Sequence, residues 1–274
     1  SISSSGTYIL KSIVLIINML ITFTLPNGKE VIIKEFLYKH IRELLFQNNS
    51  LDSKLKYLEA FIVTQNLNVI EKFIVLLMLR KKCIKPSVTL NLNKANKEVS
   101  LDYIIESFEE SIDIRQEVTR DNIQLILDYP TKFCVNTDNV LSVIREIKID
   151  DTHIVIDSLT EQEFVQIIDN LPADILSVVS NFVTDKKDAF IFSLLSGRNN
   201  SMQLNFLTPS PFQFIDTVFN CIDENSYREY LYILSKRIKD VQFLINSTMA
   251  DILDYLELYR RACEDESDKL KKTE

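Results

Sequence analysis

One segment constrains the fold more than any other. Between Asn68 and Pro86, the run Val69–Cys83 carries Ile70, Phe73, Ile74, Leu76, Leu77, Met78 and Leu79. On a 3.6-residue period these side chains nearly encircle a helix, and a helix without a polar face belongs at the centre of a core. Asn68 followed by Glu71 is an N-cap pattern, and Pro86 ends the helix. The rest of the chain must therefore wrap this segment. With 274 residues it has enough material: a chain of this size buries roughly 75% of its unfolded surface and needs no disulfide or metal staple.

Ahead of that helix, Leu20–Leu25 and Glu30–Phe36 are β-rich runs joined by Pro26-Asn27-Gly28-Lys29, and Asn-Gly predicts a hairpin because both residues tolerate positive φ. Phe36–Gln47 has one apolar face (Leu37, Ile41, Leu44, Leu45), and Ser50 caps a second helix over Leu51–Thr64. Beyond Pro86, Val88–Leu92 alternates as a strand and Lys94–Lys97 reads as a turn. Leu101–Phe108 reads as a short helix or strand, and Ile112–Val118 and Ile123–Leu127 as strands. From Thr137 the chain turns helical, with a short amphipathic stretch over Val140–Ile147 and a strand at His153–Ile156. Thr160 and Glu163 box a helix over Glu161–Asn170, and Pro172 opens another through Val183. Gly197–Asn200 is a loop and Thr208-Pro209-Ser210-Pro211 a stiff turn or linker. Helices follow at Phe212–Ile222, Tyr227–Asn246 (Ser226 cap) and Ala250–Glu264 (Thr248 cap), with a charged tail to Glu274 expected to fray.

The fold class is α+β and helix-rich: an N-terminal β-hairpin, a small antiparallel sheet in the middle, a helical C-terminal part. Residues 19–205 are expected to form the α+β domain and 206–274 a helical C-terminal region. Residues 1–18 are too short to span a bilayer and lack the basic start and cleavage site of a signal peptide. Met19 stands directly before the first strand. The expectation is that Met19 is the natural start and 1–18 is upstream or added sequence, an ordered extra strand being the alternative.

Composition removes whole classes of chemistry. The three glycines, Gly6, Gly28 and Gly197, are scattered, so no glycine-rich phosphate loop or nucleophile elbow can form. Two histidines, His40 and His153, exclude any site that needs three. Cys83, Cys134, Cys221 and Cys263 lie far apart and read as reduced, mostly buried thiols in a cytoplasm. A net charge of -8 opposes nucleic-acid and anionic-membrane binding. The one basic cluster, Arg80-Lys81-Lys82 with Lys85, reads as the solvated end of the long helix. Carboxylate pairs such as Asp150-Asp151 read as acidic surface, and His153 with Asp157 lacks a third metal ligand. No catalytic residue, cofactor or metal is assigned.

The aromatic residues carry more information. Phe206, Phe212, Phe214 and Phe219 crowd around Pro209 and Pro211, followed by Tyr227, Tyr230 and Tyr232. Such a cluster is either a packed junction or an anchor for a partner. Phe206, Phe212, Phe214, Phe219, Tyr227 and Tyr230 are taken as the candidate partner-binding residues.

The order of these motifs resembles the hub-protein family of the tail baseplate in T-even-type contractile phages. There a long helix ends in an apolar run and Arg, matched by Phe73–Arg80. A strand followed by Tyr-Pro-Thr is matched by Ile123–Leu127 and Tyr129-Pro130-Thr131. A Ser-Leu-Thr-x-x-x-Phe helix leading to proline is matched by Ser158-Leu159-Thr160, Phe164 and Pro172. The resemblance is co-linear over nearly all of 19–274. Three departures mark a divergent member: Lys81-Lys82-Cys83-Ile84 replaces a polar glycine turn, the β section lacks the family's cysteines, and Asn246-Ser247-Thr248 replaces a tryptophan-containing turn.

The resemblance implies a non-enzymatic late phage protein. It would help assemble the central baseplate hub, or form part of it, by protein–protein docking. The implied partners are other hub or tail proteins, with a homo-oligomer also open, and the places are the host cytoplasm and the virion baseplate. The alternatives are a small cytoplasmic hydrolase with a Cys/His or carboxylate site, which requires a pocket gathering His40 or His153, and an adaptor binding one peptide through its C-terminal helices.

Overall fold

The computed structural model describes residues 20–47, 50–92, 95–108, 113–136, 138–195 and 201–271. The expectations for 1–18 and for the Gly197–Asn200 loop fall outside them.

Strands β1 (Leu20–Thr24) and β2 (Glu30–Lys34) form the expected hairpin. Its turn closes with the Gly28 N–H donating to the Leu25 carbonyl at 2.8 Å. Of the Asn-Gly pair only Gly28 takes positive φ, at 81°, while the Asn27 side chain accepts from the Lys29 N–H. Helix α1 (Tyr38–Arg42) runs into a π-helical turn through Gln47. Helix α2 (Leu51–Glu59) is capped by Ser50 as expected but stops short of Thr64. The β-branched run Ile62-Val63-Thr64 instead lies along β2: the Lys34 N–H donates to the Phe61 carbonyl at 2.8 Å and the Val63 N–H to Ile32 at 2.9 Å. Extended pairing suits these side chains better than another helical turn.

Helix α3 (Val69–Cys83) is the centre of the molecule. Asn68 Oδ1 accepts from the Glu71 N–H at 2.8 Å, and Glu71 Oε2 accepts from the Asn68 N–H at 3.0 Å, a reciprocal cap of the kind worth about 1 kcal/mol. Strands β3 (Ser87–Leu92) and β4 (Ala95–Ser100) make a second hairpin. Ala95-Asn96-Lys97, expected in a turn, pair with Leu92, Asn91 and Leu90. The continued ladder outweighs their weak strand propensity. After α4 (Leu101–Glu106) come β5 (Gln116–Arg120), β6 (Ile123–Leu127), β7 (Ile144–Ile149) and β8 (Thr152–Val155). They form a four-stranded antiparallel meander in chain order. Asp121 and Asp150, both at φ 51°, open its tight turns, and Asn122 Nδ2 donates to Asp150 Oδ1 at 3.0 Å to tie the turns together. Over Val140–Ile147 only the first four residues are helical, a 3-10 turn, before Ile144 enters β7.

Helices α5 (Glu161–Asp169), α6 (Ala173–Asp185, opened by Pro172) and α7 (Lys187–Phe190) follow. They lead into a third hairpin, β9 (Ile191–Leu195) and β10 (Ser201–Asn205), two segments for which the sequence pattern predicts no element. Its register puts Leu204 opposite Phe192. The Thr208–Pro211 segment does not act as a linker: Pro209 is the N-cap residue of α8 (Ser210–Phe219), with Pro211 in its first turn. The expected helix Tyr227–Asn246 is two helices, α9 (Glu224–Ser235) and α10 (Val241–Ile245), capped by Asp223 and Asp240. The Asp240 cap breaks a pattern that the apolar period alone makes continuous. Helix α11 (Met249–Lys271) starts at the expected Thr248–Asp251 box. It runs past Glu264, because Arg260 pairs with Glu264 and Arg237 with Glu266 along the segment expected to fray.

The α+β, helix-rich architecture thus holds, with α8 packed on α3. Arg80 corrects the expectation of a solvated basic helix end. It is only 4% exposed; Nε donates to the Val218 carbonyl at 2.9 Å and Nη1 to that of Lys85. Val218 lies in the last turn of α8, where unpaired carbonyls and the negative end of the helix dipole favour a cation.

Candidate interaction surface

The six candidate aromatic residues mostly point inward. Phe206, Phe212, Phe214, Phe219 and Tyr227 are buried, and Tyr230 is half-buried against the same core. Phe206 and Phe214 meet Phe73 of α3 at 5.4 and 5.9 Å between ring centroids. Phe212 meets Phe133 at 5.9 Å, and Phe219 meets Phe36 at 5.6 Å. Tyr227 stacks on Tyr38 at 4.3 Å, and the Tyr38 hydroxyl donates to the Tyr227 carbonyl at 3.0 Å. As placed, these rings tie the C-terminal helices to the N-terminal ones, and any contact with a partner falls to their exposed neighbours.

Those neighbours are apolar. Tyr232 is 65% exposed, Phe243 49% and Leu258 61%; Tyr232 and Leu258 are the two most exposed large hydrophobic side chains among the described residues. Lys236 lies over the Tyr232 ring at 4.5 Å, and the Phe243 ring meets Tyr255 at 6.0 Å. Between α9 and α11 runs a groove of about 470 Å³ lined by Ile233, Leu256, Tyr259 and Cys263, with Arg260 and Glu264 on its rim. The period of α11 could have revealed this surface. Leu256, Tyr259 and Cys263 continue the stripe of buried Ile252 and are only half covered by the core.

A second concavity, of about 680 Å³, lies between the start of α3 and the four-stranded sheet. It is charged, and its groups largely neutralise one another: Lys29 with Glu71, Lys72 with Glu59, Arg145 with Asp157, and Arg115 with Glu146 at 3.9 Å.

The chemistry expected of a hydrolase is not assembled among the described residues. His153 is exposed on β8, with Nε2 2.7 Å from Glu146. His40 packs against Phe36 and Phe61 with ring centroids 5.7 and 4.9 Å away, and Nδ1 accepts from the Leu37 N–H at 2.9 Å. Burial pushes the Cys83 thiol up to about 12 and that of Cys221 up to about 11, away from thiolate chemistry. No group of three or more His, Cys, Asp or Glu among the described residues could hold a metal ion. Nor is any described helix long and apolar enough to cross a membrane.

Burial also pulls the His40 imidazole down from 6.5 to about 4. The unfolded chain takes up a proton near pH 6.5 that the folded chain refuses until about pH 4, so this contribution to stability is complete above that window and lost as pH falls through it. In urea unfolding, wild type should lose more stability on acidification across the window than His40→Asn, whose carbonyl can still accept from Leu37. Equal losses would show that His40 does not carry the effect.

Residues 18–192, well over half of the chain, match the family model described as T4 bacteriophage base plate protein. The chain belongs to this family. No curated protein and no solved structure matches it. The resemblance to tail-baseplate proteins is thereby borne out, and the chain is a phage baseplate protein with a structural role. The match to the baseplate family ends inside β9, so the exposed aromatic and aliphatic side chains of α9, α10 and α11 lie beyond it.

Proposed function

We propose that this baseplate protein acts in the central hub, as a built-in subunit or as an assembly factor that leaves, by docking to other hub or tail proteins without a catalytic step. The observation that carries the reading is that the two most exposed large apolar side chains among the described residues, Tyr232 and Leu258, stand with Phe243 on the last three helices. Residues 206–274 are then the docking region and 19–205 the body. The buried rings of Phe206, Phe212, Phe214, Phe219 and Tyr227, with half-buried Tyr230, set the angle at which the docking helices are held. Assembly takes place in the host cytoplasm.

Co-expression with the other hub proteins should give a complex on gel filtration, and no complex with any of them overturns the reading. Mass spectrometry of purified virions then separates the two forms. A few copies per particle identify a subunit, and absence from virions together with hub proteins in a pull-down from infected cells identifies an assembly factor.

A further inference from the structure

The outer face of the C-terminal helices combines exposed apolar side chains with unmatched acidic charge. Val241 and Phe243 of α10 are 45% and 49% exposed and Leu258 of α11 is 61% exposed. The Phe243–Tyr255 ring contact brings the two helices together at this point, and Leu258 follows Tyr255 by three residues, on the adjoining face of α11. Beside this patch stand Asp240, which caps α10 three residues before Phe243, and Asp254, next to Tyr255 on α11. Asp254 and Leu258 share one helical face at i, i+4 spacing. Neither aspartate forms an ion pair among the described residues, whereas the arginines of α11 are taken up within the helix: Arg260 and Arg261 both bind Glu257, at 2.9 Å each. Glu257 is accordingly held down to about 2.

We propose that this face binds a basic amphipathic helix, one that presents Leu or Phe at i, i+3 or i+4 and i+7 with Lys or Arg on its flanks. The apolar stripe would lie over Phe243 and Leu258, and the flanking cations would meet Asp254 and its neighbours. The charge decides against a second copy. A twofold pairing sets a surface against itself, so it would bring the same aspartates together between two chains of net charge -8 each. The inference rests on the docking role proposed above and names the kind of partner.

The test uses the full chain and two labelled synthetic helical peptides, both with leucine at i, i+3, i+4 and i+7. One carries lysine at the remaining positions and the other glutamate. Fluorescence anisotropy should show the lysine peptide bound at least tenfold more tightly, with the preference shrinking as salt is raised. Leu258→Ser and Phe243→Ser sit at exposed positions and should keep the fold, as circular dichroism can verify; each should weaken binding about tenfold. Asp254→Lys should remove most of the preference between the peptides. Val165→Ser, equally exposed on α5, should leave binding unchanged. Equal binding of the two peptides, or binding indifferent to Leu258→Ser and Asp254→Lys, overturns the proposal. So does a wild-type dimer that Leu258→Ser dissolves, which would make a second copy the occupant. The assay contains no other baseplate protein. Failure to co-purify with hub proteins while peptide binding survives would therefore sink the hub reading alone.

Discussion

Replacing Arg80 with methionine is expected to destabilise the protein by about 3 kcal/mol, although methionine fills much of the same space. The guanidinium is the partner of two carbonyls, Val218 at the end of α8 and Lys85 just past the end of α3. A buried acceptor left without a donor costs roughly 1–3 kcal/mol. Burial lowers the Arg80 pKa; among the described residues no carboxylate pairs with it, and the two carbonyls and the α8 dipole take the place of lost hydration. In a chain of this size each kcal/mol corresponds to roughly 2–4 °C, so thermal melting should fall by about 10 °C. Arg80→Lys can keep one of the two contacts and should fall between. A methionine variant that melts with wild type would mean that Arg80 does not clamp α3 to α8.

The second large effect is expected at Phe73. Its ring lies 5.4 Å from both Phe108 and Phe206 and 5.9 Å from Phe214. It is fully buried. Phe73→Ala opens a cavity that three aromatic rings cannot jointly fill, and large-to-small changes of this kind cost about 3–5 kcal/mol. Phe206→Ala should cost a similar amount, and the double variant less than the sum, because both remove the same contact. Urea midpoints measure this. Tyr232→Ala, at a mostly exposed ring, is the comparison that should stay near wild type; a Phe73→Ala midpoint as mild as that one would remove α3 from the centre of the core.

The elements most readable in the sequence were those with a local chemical signature. The Asn68–Glu71, Thr160–Glu163 and Thr248–Asp251 boxes each start a helix where expected. The apolar circumference of Val69–Cys83 correctly marked the core. What escaped reading depended on partners distant in the chain. The last turn expected of α2 is instead extended chain, bridged at Ile62 to the neighbouring β2. The hairpin β9–β10 is short, and its apolar residues suit helix or strand equally. Arg80 looked like a helix-end cation because its acceptor at Val218 is 138 residues away. The aromatic cluster of 206–230 was visible as a unit, but composition does not say which way a ring faces. The acidic and apolar face of α10 and α11 emerged only once Asp240 was seen to start a new helix beside the last one.

The separation between α3 and the elements that cover it also sets a timetable for synthesis. Tyr38 waits for Tyr227, 189 residues later, and Arg80 for Val218. At translation rates of roughly 5–20 residues per second, the central helix α3 leaves the ribosome on the order of ten seconds before α8 arrives to cover it. The β-hairpins can form in that interval from neighbouring residues, but the core cannot close. Folding of this protein is therefore completed from its C-terminal end, and a ribosome stalled before Ser210 leaves α3 without its lid.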